Sequence, residues 1–289
     1  MARYRVHGIN LETDPGFGLP PATGEQRTDL VFEKAAEGPE ATDHEPLGHP
    51  LHRGRWDRQE PEIAFFGPLE RPLVSVGRSV TFECTADRIV CHATDVKDLR
   101  IERAFLGPVL ALWLERRGVL ALRGSALIGA AGATVILSHL PPAAEPLAPA
   151  LVSRGATLAS RGLVALDVGP SGATLNADLG PGAAEPAVGA TLDRILVVEP
   201  TGEPRAAIAE MHARAAVMAI VRHSYLAVPV VRFGLQAHRL AKIAALLRNV
   251  HCQRVSLPTA QEAIDEVITT LALDARGEQD GRARAPDGT

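Results

Sequence analysis

The sequence has no cysteine pair at CxxC spacing, no excess of positive charge and no apolar run long enough for a bilayer. Each absence removes a class of protein. Cys84, Cys91 and Cys252 are its three cysteines, an odd number without ligand spacing, which argues against a disulfide scaffold and fits a reducing compartment. A formal net charge of −4 supplies no broad attraction for nucleic acid or acidic membranes. The longest apolar stretch, Ala104 to Leu114, is too short to span a bilayer and ends in Glu115-Arg116-Arg117. The opening MARYRVHGINLETD is charged and alternating, unlike a signal peptide. A cytoplasmic protein with no nucleic-acid or membrane role is expected. There is no nucleophile elbow, no HExxH and no GxGxxG after a strand. Cys84 with Cys91-His92 lacks a second suitably spaced pair, so no metal site is predicted, and His44, His49 and His52 read as solvated loop residues.

What is present is a chain of 289 residues, 46% hydrophobic and 22% charged, with 26 Gly and 22 Pro, as in a loop-rich globular protein. Strands are expected at Tyr4 to Leu11, Asp29 to Glu33, Leu73 to Val76, Ser79 to Cys84 and Arg88 to His92. Residues 35–61 are crowded with Gly, Pro, His and charge without a period, and read as an inserted loop. Residues 1–95 are thus predicted to be a β-rich subdomain.

From Asp95 the period turns helical through Leu99, Ala104, Leu106, Val109, Leu110 and Trp113, and Gly118 stands as the stop. The next expectations are a strand at Val119 to Ile128, a strand at Ala133 to Leu137, a helix from about Glu145 to Ser153 and a strand at Leu163 to Val168. This strand, loop, helix, strand order is a βαβ unit. A strand at Leu192 to Glu199 follows, then helices at Pro204 to Val221 and Leu235 to Arg248, a strand at His251 to Leu257, and a helix at Thr259 to Leu273 with Thr259 and Glu262 as a capping box. The α/β core spans 96–273, and 274–289 reads as a disordered tail.

The segment LALRGSALIGAAGATVILSHLPPAAEPLAPALVSRGATLASRGLVALDV resembles the core of HPr kinase and related serine kinases. That family has a His-Gly-Ser-Ala strand, a GxSGxGK loop followed by Ser or Thr, a helix, an Arg-Gly turn and an acidic pair. Leu147, Ala148, Ala150, Leu151, Arg154, Gly155 and Leu158 fall at the family's positions without a gap. Downstream, LDRILVVEP, the run Arg222-His223-Ser224-Tyr225, His238 and IAALLRNVHCQRVSLP are similar to the family's C-terminal half, and YRVHGINLETD resembles the N-terminus of its HPr-kinase-related subgroup. The resemblance covers about Tyr4 to Leu273 apart from the inserted loop. It implies a P-loop core of the HPr-kinase and PEP-carboxykinase type.

The residues that would hold ATP and Mg²⁺ are missing from those positions. A P-loop needs converging backbone N–H groups, a Lys and a hydroxyl. Here the loop runs Ser138, His139, Leu140, Pro141, Pro142, Ala143, Ala144, Glu145. Ala144 stands at the Lys position and Glu145 at the hydroxyl position. Pro141 and Pro142 have no N–H to donate. Glu145 favours the positive end of the helix dipole and would repel a phosphate there, filling the site with the protein's own charge. Arg123 replaces the family His, and Arg161-Gly162 replace the acidic pair, so the Lys, hydroxyl, base and metal ligand of phosphoryl transfer are all lost.

The sequence therefore predicts no catalytic residue and no cofactor. It predicts an inactive kinase-like protein that serves as a binding or scaffolding subunit in a bacterial peptide or polysaccharide biosynthesis system. Arg123, Arg161, Gly162, Arg222 and His223 are the candidate partner-binding positions of the former cleft. As plain structural replacements, Arg123 and Arg161 have no such role, and His223 is a helix-end residue. The resemblance also implies a small PqqD-like peptide-binding partner and self-association, because HPr kinases are hexameric. The competing expectations are an active ATP-dependent serine kinase or peptide-modifying transferase that uses ATP and Mg²⁺ in a rebuilt site, and a small-molecule sensor that uses the same cleft.

Overall fold

A computed structural model describes residues 1–14, 16–19, 21–22, 27–35, 50–55, 62–77, 79–93, 98–130, 132–138, 145–176, 189–203, 205–258 and 263–271. The protein is mixed α/β and is built on two mixed sheets. The tail at 274–289, the proposed capping box, His44, His49, and loop positions Pro141, Pro142, Ala143 and Ala144 lie outside the described residues.

Eight strands form the first sheet: β1 (Ala2–Val6), β2 (Ile9–Asp14), β3 (Leu30–Lys34), β4 (His52–Arg55), β5 (Glu62–Phe66), β6 (Leu73–Val76), β7 (Val80–Cys84) and β8 (Arg88–Ala93). Their order is β1-β2-β3-β8-β7-β6-β5-β4. The two parallel pairings, β2 with β3 and β3 with β8, sit side by side and the rest are antiparallel. Period-two alternation puts Val80, Phe82 and Cys84 inward. β4 corrects the reading of 35–61 as loop throughout. Its HRGR sequence has little strand propensity, and its place comes from pairing with β5 from His52↔Phe65 to Arg55↔Glu62.

The helical stretch expected without interruption from Asp95 to Gly118 is broken in its middle. α1 (Asp98–Ala104) passes through one π turn (Phe105–Val109) into α2 (Leu110–Arg116). Gly107 is non-helical and Pro108 sits inside the turn, the usual cause of a kink. Gly118 at φ 78° ends the segment, as its position predicts. Ile101, Phe105, Leu110 and Trp113 pack into one core with Phe32, Phe82 and their neighbours in the first sheet. The Trp113 indole N–H donates to the Ala86 carbonyl at 3.0 Å.

The second sheet contains β9 (Leu120–Gly129), β10 (Gly132–Ser138), β11 (Thr157–Gly169), β12 (Gly172–Asn176), β13 (Ala190–Pro200), β14 (Ala207–Glu210) and β15 (His251–Leu257), in the order β10-β9-β11-β12-β13-β15-β14. β10 also pairs with β13, so the pairings β10-β9-β11-β12-β13 close on themselves. β9 runs antiparallel between β10 and β11, which makes those two parallel, and β10, β13 and β15 are parallel to one another. α3 (Leu147–Ser153) joins β10 to β11, completing the expected strand, helix, strand unit with one strand inserted between.

The remaining helices are α4 (Ala213–Arg222), α5 (Ala227–Arg232), α6 (Gln236–Asn249) and α7 (263–271). The helix expected over Pro204 to Val221 is instead the edge strand β14 followed by α4. Ala207 to Glu210 pairs antiparallel with Ser256 to Gln253, and that edge pairing overrides the helix propensity of an Ala-rich run. α4 and α6 pack on one face of the second sheet through Leu122, Val164, Leu166, Ile220 and Leu246. On the other face Ala121, Leu163 and Ala165 join the core of the first sheet, while Leu127 and Ile136 join α3 and α7. Among the described residues no helix is long and apolar enough to cross a membrane.

Candidate functional site

Two arrangements gather the sequence-predicted residues. The first is the start of α3, directly after the loop that leaves β10 at Ser138. The buried Glu145 carboxylate, 3% exposed, accepts the N–H of Leu147 at 2.6 Å on Oε1 and that of Ala148 at 2.9 Å on Oε2. The next residue, Pro149, has no N–H, and Ala150 donates to the Pro146 carbonyl at 3.4 Å. The donors that a helix leaves open at its first turn are therefore used within the protein. Burial pushes the Glu145 carboxyl above its ordinary range. The N–H groups of Ala148 and Leu147 and the charge of Arg161 oppose that push without cancelling it.

Arg161 is exposed on β11 and pairs in register with the buried Ser125, next to the glycine pair Gly162↔Gly124. Both glycines have structural reasons. Gly162 sits at φ 96°, where a side chain is strained. A Cβ on Gly124 would lie 2.3 Å from the Ile136 carbonyl oxygen, so β9 approaches the β10 backbone as only glycine allows. β11 also has a register shift between Leu158 and Ser160, and the Ser160 hydroxyl donates to the Leu163 carbonyl.

The second arrangement joins β9 to the end of α4. Arg123 N–H donates to the His223 carbonyl at 2.7 Å, Tyr225 N–H to the Ala121 carbonyl at 3.0 Å, and Leu122 bridges Ser224. The Ser224 hydroxyl donates to Ile220 at 3.0 Å. His223 is buried at the C-terminal cap of α4. These bonds hold Arg123, Arg222, Ser224 and Tyr225 around a cavity of about 270 Å³. Its apolar wall comes from Ile63 and Phe65 of β5, Pro108 of the π turn, and Leu226 and Pro229. His52 lines it too, half-buried and stacked with Phe65 at 6.2 Å between ring centroids, which corrects the reading of His52 as solvated. Burial lowers the pKa of His52, and the Arg232 charge lowers it further.

The predicted cleft set thus divides. Arg123 and Arg222 line the cavity and His223 holds Arg123 through its carbonyl, while Arg161, whose charge reaches Glu145, and Gly162 are not in the lining. Sequence reasoning missed Tyr225 and Phe65 as cavity walls, because nothing in a β-strand's alternation says which sheet edge meets a distant loop. It also missed a buried ion pair on the backbone of Ala121. The Arg239 guanidinium of α6 meets Glu115 of α2 at 2.9 Å and donates to the Ala121 carbonyl at 3.0 Å, while Ala121 N–H donates to Glu115 at 2.9 Å. Burial raises the Glu115 carboxyl, against the pull of Arg239 and of the Ala121 N–H.

Cys84 and Cys91 sit on the paired strands β7 and β8, wholly buried. Burial pushes the Cys84 thiol up to about 12. Among the described residues no three His, Cys, Asp or Glu side chains are grouped so as to hold a metal. No family model matches the chain, and no curated protein matches it.

Proposed function

We propose that this protein is a degenerate HPr-kinase-like protein that transfers no phosphoryl group and works as a binding or scaffolding subunit. The observation that carries the reading is the Glu145 carboxylate on the N–H groups of Leu147 and Ala148. At this end of a strand-to-helix turn a nucleotide-binding protein presents those donors to phosphate. Here the protein's own carboxyl oxygens already hold them, and the next helical residue is a proline. The parallel strands β10, β13 and β15, with α3 leaving β10, support the kinase-like ancestry. The function itself is argued from the altered site, since architecture alone does not carry one. The partner class that the resemblance implies is a small PqqD-like peptide-binding protein, and self-association is proposed on the same ground.

Thermal unfolding with and without MgATP tests the reading. A ligand at about 100 times its Kd stabilises by roughly 2.7 kcal/mol, so a nucleotide site in use raises the melting temperature visibly. No shift is expected. A clear shift with the parent protein overturns the proposal.

A further inference from the structure

We propose that the cavity between β5, the π turn and the α4–α5 junction is a binding site for a carboxylate carried on a small apolar body. The inference rests on the reading of the protein as a binding subunit and gives that subunit a ligand class.

Charge comes first. Arg123 and Arg222 line the cavity, and among the described residues no acidic one does. Arg222 is exposed and has no ion-pair partner among the described residues. Arg123 has interactions of its own within the protein, so the exposed Arg222 is the charge offered to a ligand. Arginine matches a planar carboxylate with two parallel N–H donors. Ser224 and Tyr225 line the same cavity.

The apolar side narrows the class. Ile63, Phe65, Pro108, Leu226 and Pro229 form much of the surface, and a bare inorganic anion leaves them wet. A hydrocarbon or aryl group next to the carboxylate covers them. Size narrows it again, because a volume of about 270 Å³ is below the usual range for drug-sized ligands, about 300 to 1,000 Å³. The site is also preorganised, since backbone hydrogen bonds from Arg123 and Tyr225 lock the α4–α5 junction onto β9.

Such a carboxylate belongs either to a free organic acid or to the C-terminus of a peptide ending in an apolar residue. Titrations of the full chain, followed by amide chemical shifts, use phenylacetate, phenylacetamide, and a tetrapeptide ending in leucine as free acid or amide. At least one carboxylate form is expected to bind saturably and about tenfold or more tightly than its amide, with Arg222→Gln lowering that affinity about tenfold. Arg232→Gln, outside the lining, is expected to change it much less. The better carboxylate identifies the source. The proposal is overturned if neither carboxylate binds, if acid and amide bind alike, or if a folded Arg222→Gln protein binds as the parent does. MgATP stabilisation with carboxylate binding intact sinks only the inactive-kinase reading, and silence toward carboxylates with no MgATP effect sinks only this inference.

Discussion

Glu145 accepts the backbone N–H of Leu147 at 2.6 Å, and the same carboxylate takes the N–H of Ala148, so one side chain caps α3 from two residues upstream of its first turn. Replacing it removes an N-terminal cap. Glu145→Ala is expected to lose about 1 kcal/mol, read from the midpoint of urea unfolding at constant slope. An unchanged midpoint contradicts the capping role.

The pH dependence has a definite sign. Burial raises the carboxyls of both Glu145 and Glu115 in the folded protein. The folded state therefore holds their protons at pH values where the unfolded chain has released them. Their contribution to stability is complete below the ordinary glutamate range and is lost as pH climbs through the raised folded values. Glu145→Gln is expected to flatten this decline, so unfolding free energies of variant and parent should converge or cross in favour of the variant as pH rises from about 4 toward neutrality. A parallel offset at every pH goes against it.

Arg239 and Glu115 form a buried pair whose members are 6% and 5% exposed. Removing one partner strands a charge, so Arg239→Met alone is expected to cost about 3–5 kcal/mol. Adding Glu115→Leu should recover much of that loss, because two apolar side chains remove both desolvation penalties. Denaturant unfolding of the single and double variants completes the cycle. A double variant as weak as the single one points to packing as the cause.

Gly124 lies under the β10 backbone, where an added Cβ would come within 2.3 Å of the Ile136 carbonyl oxygen. Backbone cannot rotate away as a side chain can. Gly124→Ala is expected to destabilise by about 1–3 kcal/mol, whereas Ala126→Gly two residues on loses only a methyl and some backbone order. Melting temperatures of the two variants make the comparison.

Cys84, Cys91 and Cys252 are all buried, and burial pushes the thiols of Cys84 and Cys252 up to about 12 and about 11. Since the thiolate is the reactive form, an aromatic disulfide reagent at neutral pH should find no fast thiol in the folded protein and three in denaturant. A fast native equivalent would place one thiol at the surface.

Local patterns carried a large part of this fold. Alternation marks β7, and the helical period and Gly118 mark the helical stretch α1–α2 and its end, though not its break at Gly107-Pro108. The βαβ order of β10, α3 and β11 follows from punctuation by Gly and Pro. The capping role of Glu145 is legible too, because a carboxylate before a helix has one favourable use, in the first turn. All of these depend on contacts a few residues apart.

Tertiary structure decided the rest. Ala207 to Glu210 became a strand because β15 offered an open edge, and His52 became half-buried because β5 offered another. Arg123 and Arg222 line one cavity only because β9 binds the residues after α4 through backbone groups that every sequence has. Glu115 and Arg239 pair for the same reason, because α2 and α6 each bring one side chain to the backbone of Ala121. Residue type determines what a side chain can do, while the neighbours that let it do so come from hydrogen bonds and buried surfaces between segments far apart in the chain.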